Sequence, residues 1–145
     1  MDVADLLRSK GQGVTTIRPD ETIRVALDVL AEKGFGALVV STEGETVDGI
    51  LSERDIVRHL SRSGASLLDA SVSSIATTEV STCVPTDSVD ELMAQMTSGR
   101  FRHVPVISNG RLAGVVSIGD VVKSRVAELE DSNQQLNSYI TGFAR

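Results

Sequence analysis

Apolar positions along this chain keep two different rhythms. Ile23, Ala26, Leu27, Leu30 and Ala31 recur at i, i+3, i+4, i+7 and i+8, the spacing that gathers side chains on one face of a helix. Val89, Leu92, Met93 and Met96 repeat it. Short apolar runs bracket each helix, at 14–17, 37–41 and 47–51 in the first case and at 80–84, 104–107 and 112–116 in the second. They read as strands, and turns at Gly44 and Asn109-Gly110 join the later two of each set into hairpins. Ser88 with Glu91 predicts a capping box, and Gly34 and Gly99 stand where left-handed residues would end the two helices. A further helix opens at Ser52 and another at Ser117.

The two halves are copies of one unit. Aligning 14–57 with 80–122 pairs Val14 with Val80, Thr16 with Thr82, Pro19 with Pro85, Phe35 with Phe101, Val40 with Val106 and Gly44 with Gly110. After one extra residue near Glu45 the match continues through Gly49/Gly114, Ser52/Ser117, Asp55/Asp120 and Val57/Val122. Each copy reads β-α-β-β-α, so the fold class is α/β (α+β), with the copies packed as one pseudo-two-fold module. The division is an N-terminal helix over 1–13, repeat 1 over 14–62, a connector over 63–79, repeat 2 over 80–127 and a helical extension over 128–145. Val122, Val126, Leu129, Leu136 and Ile140 form a heptad seam with Asn133 as its polar member. That seam and the stripe Val3, Leu6, Leu7 are expected to stay partly uncovered and to support a homodimer. The other reading of the seam is a single amphipathic helix packed on its own module.

Composition narrows the function. The 145 residues carry 14 Lys plus Arg against 20 Asp plus Glu, a net charge of −6, with no Trp, one Tyr and three Phe. Neutralising a phosphate backbone or stacking bases has little to work with, so no nucleic-acid partner is expected. Cys83 alone cannot form an internal disulfide, and two histidines and one cysteine fall short of a zinc ligand set, so no metal is expected. No apolar run approaches a membrane span and the first ten residues are broken by charge, which points to a cytoplasmic protein with no membrane partner. Nucleotide-hydrolysing and triad motifs are absent, and no catalysis or catalytic cofactor is expected.

The duplicated segments Gly49-Ile-Leu-Ser-Glu-Arg-Asp55 and Gly114-Val-Val-Ser-Ile-Gly-Asp120, with the run Phe101-Arg-His-Val-Pro-Val106, carry a family resemblance. Across about residues 14–127 the chain resembles the tandem cystathionine-beta-synthase (CBS) domain pair, the Bateman module. The resemblance implies a non-enzymatic regulatory module that binds an adenosyl nucleotide (AMP, ADP, ATP, S-adenosylmethionine or an adenine dinucleotide) between the copies, acting as an energy or metabolite sensor for an unknown protein partner.

The residues can be read beside it. An aspartate in the first turn of a helix can accept hydrogen bonds from both ribose hydroxyls, and a serine at the helix start sits where free N–H groups favour phosphate. Ser52 and Asp55, and Ser117 and Asp120, have that spacing, which is also the spacing of a capping box that merely starts a helix. The resemblance assigns Asp55 to the ribose. It also implies that Arg102 and His103, absent from copy 1, hold phosphate across a primary cleft containing Ser52 and Asp55, with Arg54 as a third cation. Asp120 and Ser117 would line a poorer secondary cleft, and Thr16 and Thr82 the adenine ends of the two. The rival is a ligand-free structural or assembly module in which the Ser/Asp pairs are only caps.

Overall fold

The computed structural model describes residues 1–11 and 13–143. Copy 1 holds β1 (Thr16–Ile17), α2 (Ile23–Lys33), β2 (Ala37–Val40), β3 (Gly49–Ser52) and α3 (Glu53–Ser63), and is preceded by α1 (Val3–Lys10). Copy 2 holds α4 (Val89–Gly99), β4 (His103–Ser108), β5 (Arg111–Ser117) and α5 (Ile118–Phe143). The connector forms two short 3₁₀ turns, Gly64–Asp69 and Val72–Ser74. Mixed α/β architecture in two copies is therefore the fold.

The duplication is visible in pairing register. In copy 1, β1 runs parallel to β2 with Ile17 opposite Val40, and β2 runs antiparallel to β3. Copy 2 reproduces this with a parallel bridge between Cys83 and Val106 and an antiparallel β4–β5 ladder. The run at 80–84 is thus a single bridge rather than a strand, and only two residues of 14–17 are a strand. Prolines 19 and 85 close each run early, since a proline cannot donate to a ladder.

Caps follow the local chemistry. Thr22 and Ser88 accept hydrogen bonds from Val25 N (3.3 Å) and Glu91 N (3.0 Å) to start α2 and α4. Gly34 ends α2 at φ 69°. Copy 2 departs from expectation here: Gly99 is the last residue of α4, and Arg100 takes the left-handed position at φ 57°. Arg100 aligns with Gly34, so the left-handed position is the same in both copies, while Gly99 lies under the Phe101 ring, where a Cβ would sit 2.2 Å from it.

Two hydrophobic cores form, and each is completed by the segment that leads into the other copy. Leu67 and Val72, which precede copy 2, are buried in the copy 1 core with Ile23, Leu38 and Leu51. Val3 and Leu6, which precede copy 1, are buried in the copy 2 core with Leu92, Val104 and Val116. The backbone docking is the same both times. Val72 N donates to Glu21 O and Ser73 N to Pro19 O, while Val3 N donates to Asp87 O and Ala4 N to Pro85 O. Val3 and Leu6 are 0% and 2% exposed, so the expectation that the N-terminal stripe stays uncovered is corrected: copy 2 covers it. The seam of α5 differs, with Val122, Val126, Leu129, Leu136 and Ile140 between 47% and 62% exposed. Among the described residues no helix is long and apolar enough to cross a membrane.

Candidate functional site

A cleft of about 300 Å³ opens where the N-terminus of α3 faces the start of β4. Copy 1 contributes Ser52, Arg54 and Asp55, and copy 2 contributes Arg102 and His103. Its floor is tied by a two-way backbone bridge, Ile50 N to Thr77 O and Thr77 N to Ile50 O, both 2.9 Å.

Ser52 and Asp55 form a complete capping box: Asp55 N donates to Ser52 Oγ (3.2 Å) and Ser52 N donates to Asp55 Oδ2 (3.0 Å). Ser52 Oγ also donates to Oδ2, at 2.9 Å. Both bonds to the carboxylate fall on Oδ2, so Oδ1 retains its full accepting capacity, and the half-buried pair can both cap and bind. The N-terminal end of α3 lines the cleft with the positive end of its dipole, although Glu53 N (to Gly36 O, 2.9 Å) and Asp55 N (to Ser52 Oγ) are already engaged.

His103 opens β4 and sits half-buried against Gly36, where a Cβ would come within 3.1 Å of Nε2. Gly36 is the copy 1 counterpart of Arg102, and its missing side chain is what admits the ring. Burial lowers the pKa of His103 and the Lys10 ammonium lowers it further, against Asp120 and Glu53, which raise it. The ring is therefore predominantly neutral at pH 7.

The pseudo-symmetric position in copy 2 is different. Asp120 accepts from Ser117 N (2.8 Å), and Asp120 N donates to Ser117 Oγ (3.1 Å). Lys10, at the end of α1, places Nζ 2.7 Å from Asp120 Oδ2 and 2.5 Å from Val115 O. Burial raises the Asp120 pKa, but Lys10 and Ser117 together outweigh it and hold the carboxyl below its ordinary value. Thr16 pairs with Val39 on β1 and is not among the residues lining the primary cleft. Thr82 lines a separate open depression with Ser81 and Gln95. Cys83 is buried, and burial pushes its thiol up to about 11, so it is inert at neutral pH.

Sequence reasoning passed over Arg58 and Arg100, which also line the primary cleft. A signal for Arg58 existed, since it follows Arg54 by four residues and shares its helix face.

The family model described as CBS domain matches twice, at residues 3–62 and 72–127. A mitochondrial CBS domain-containing protein of Arabidopsis thaliana is 36% identical over 148 residues, covering 97% of this chain and 72% of the relative. The crystal structure of a CBS-domain containing protein from Agrobacterium tumefaciens superposes with a TM-score of 0.82 at 48% identity, covering 86% of this chain and 99% of that one. A hexameric CBS-CP12 protein from bloom-forming cyanobacteria gives a TM-score of 0.73 at 27% identity, over 84% of this chain and 70% of that one.

Proposed function

This chain belongs to the CBS-domain family, and from that premise we propose that it is a regulatory module that binds an adenosyl nucleotide in the cleft between its copies. Proteins of this family are generally regulatory and ligand-binding rather than catalytic. The observation that carries the finer reading is the juxtaposition of Ser52 and Asp55 at the start of α3 with Arg102 and His103 across the cleft. Asp55 Oδ1 takes the ribose diol, and the Arg102 fork takes phosphate. In this reading the protein is a cytoplasmic homodimer, and nucleotide occupancy shifts the geometry between copies and is read by a protein partner. A CBS-domain neighbour of similar fold is hexameric, which supports self-association as a habit of such modules.

The completeness of the Ser52–Asp55 box favours one rival, a ligand-free assembly module in which the pair only starts α3. Thermal unfolding with AMP, ATP and S-adenosylmethionine separates the two. A ligand at 100 times its Kd stabilises the native state by about 2.7 kcal/mol. An Arg102→Ala variant should then lose affinity for AMP far more than for adenosine, which has no phosphate to hold. No shift with any adenosyl compound selects the assembly reading.

A further inference from the structure

Copy 1 and copy 2 solve the end of their first helix differently, and the difference faces the cleft. Gly34 ends α2 in the left-handed conformation, and the aligned residue in copy 2, Arg100, adopts nearly the same angles (φ 57°, ψ 34°). Glycine reaches that region freely, whereas a residue with a Cβ is strained there. Copy 2 accepts the strain at a position whose side chain lines the cleft. Phe101 explains why Gly99 is needed, but it gives no reason for arginine at position 100.

Arg100 is one of four arginines on this cleft. Arg54 and Arg58 come from α3, and Arg100 and Arg102 flank Phe101 on the approach to β4. Among the described residues none of the four guanidinium groups makes an ion pair or hydrogen bond within the chain, although its acidic residues outnumber its basic ones. Glu53, Asp55 and Glu79 also line the cleft. Among the described residues none of these carboxylates forms an ion pair with the four arginines, so the guanidinium groups keep their donors for something else. Like charges gathered without internal partners are stabilised by an anion carrying several charges.

We propose that the cleft selects a nucleoside di- or triphosphate by its phosphate chain, with Arg102 holding the first phosphate and Arg100 and Arg58 those beyond it. The proposal rests on the nucleotide-binding reading for the nucleoside half and on the arginine cluster for the rest. It disfavours S-adenosylmethionine, which has no phosphate for the arginines to hold and brings further positive charge to a cleft where four guanidinium groups face three carboxylates.

Titration calorimetry on the full-length protein without divalent cations tests this, with adenosine, AMP, ADP, ATP, S-adenosylmethionine and inorganic tripolyphosphate as probes. Affinity should rise at least tenfold from AMP to ATP, and tripolyphosphate alone should bind. The Arg100→Gly variant should keep or raise Tm, because Gly34 already serves that position in copy 1, yet shrink the ATP-to-AMP ratio at least fivefold. Equal binding of AMP and ATP by the wild type, or an unchanged ratio in Arg100→Gly, overturns the proposal while leaving nucleotide binding intact. Tripolyphosphate binding as tightly as ATP, with no binding of adenosine or AMP, overturns the nucleoside half and upholds the polyphosphate half. Failure of every phosphorylated probe overturns both.

Discussion

Lys10 reaches Asp120 across more than a hundred residues of sequence, with Nζ 2.7 Å from Oδ2. Among the described residues its counterpart in copy 1, Asp55, has no such cation, and the two Ser/Asp pairs that look equivalent in sequence are thereby made unequal. The contact also pins the C-terminal end of α1 to β5 through the carbonyl of Val115. With Asp120 already paired to Lys10, the proposed reading places the ribose at Asp55 rather than at Asp120.

Removing the ammonium should expose this inequality. The chain is expected to bind one nucleotide, and Lys10→Met should bring the stoichiometry measured by calorimetry toward two. A variant that still binds one would show that Lys10 does not control the second cleft. The pair has an acid signature as well. Asp120 has a lowered pKa in the fold, so its contribution to stability is complete above its unfolded value near 3.8 and is lost as pH falls through the lowered one. Lys10→Met should shrink that acid-side loss in urea titrations.

Asp55→Asn keeps the shape of the cap while replacing a charged acceptor. Contacts of that kind are worth about 1.5–3 kcal/mol, so nucleotide affinity should fall about tenfold or more with little change in Tm. Unchanged affinity by calorimetry would remove Asp55 from the binding site.

His103 predicts a pH dependence of the less usual sign. Its pKa is lowered in the fold by burial and by Lys10, with Arg102 acting in the same direction and Asp120 and Glu53 opposing. The unfolded chain therefore takes up the proton first, and stability declines as pH falls through the ordinary histidine value of 6.5 toward the lowered one. Urea unfolding at pH 7.5 and 5.5 should show a larger decline for the wild type than for His103→Gln. Equal declines would mean that the ring titrates as freely in the fold as in the unfolded chain.

Leu6 tests the exchange of leading segments. It lies outside repeat 2 in sequence but is 2% exposed within the copy 2 core. Leu6→Ala should cost about 2–4 kcal/mol, the range for a buried leucine that leaves a cavity. The measurement is the urea midpoint, which should drop with an unchanged m-value. A cost below about 0.5 kcal/mol would show α1 to be dispensable to that core.

The α5 seam bears on assembly. Truncation after Ser124 removes Val126, Leu129, Leu136 and Ile140 and leaves both Ser/Asp pairs in place. Sedimentation should show a weakened dimer, while nucleotide affinity is largely kept. A full-length protein that is monomeric at micromolar concentration would refute the seam as an interface.

Much of this protein is written locally. The i, i+3 spacing of Ser52 with Asp55 and of Ser117 with Asp120 closes hydrogen bonds inside one helical turn, so the sequence by itself determined those pairs. Apolar periodicity determined α2 and α4 in the same way, and the repeat determined that two similar units exist. Contacts between distant segments leave no periodic trace. The stripe Val3 and Leu6 announces an apolar face but not which core it fills, and only the tertiary structure decided that each copy is closed by the segment leading into the other. It also decided that the Phe101 ring would lie over Gly99. Lys10 and Asp120 are the plainest case: the charges are legible, but their meeting depends on where α1 docks, which is set by burial in a core built from residues nearly a hundred positions away.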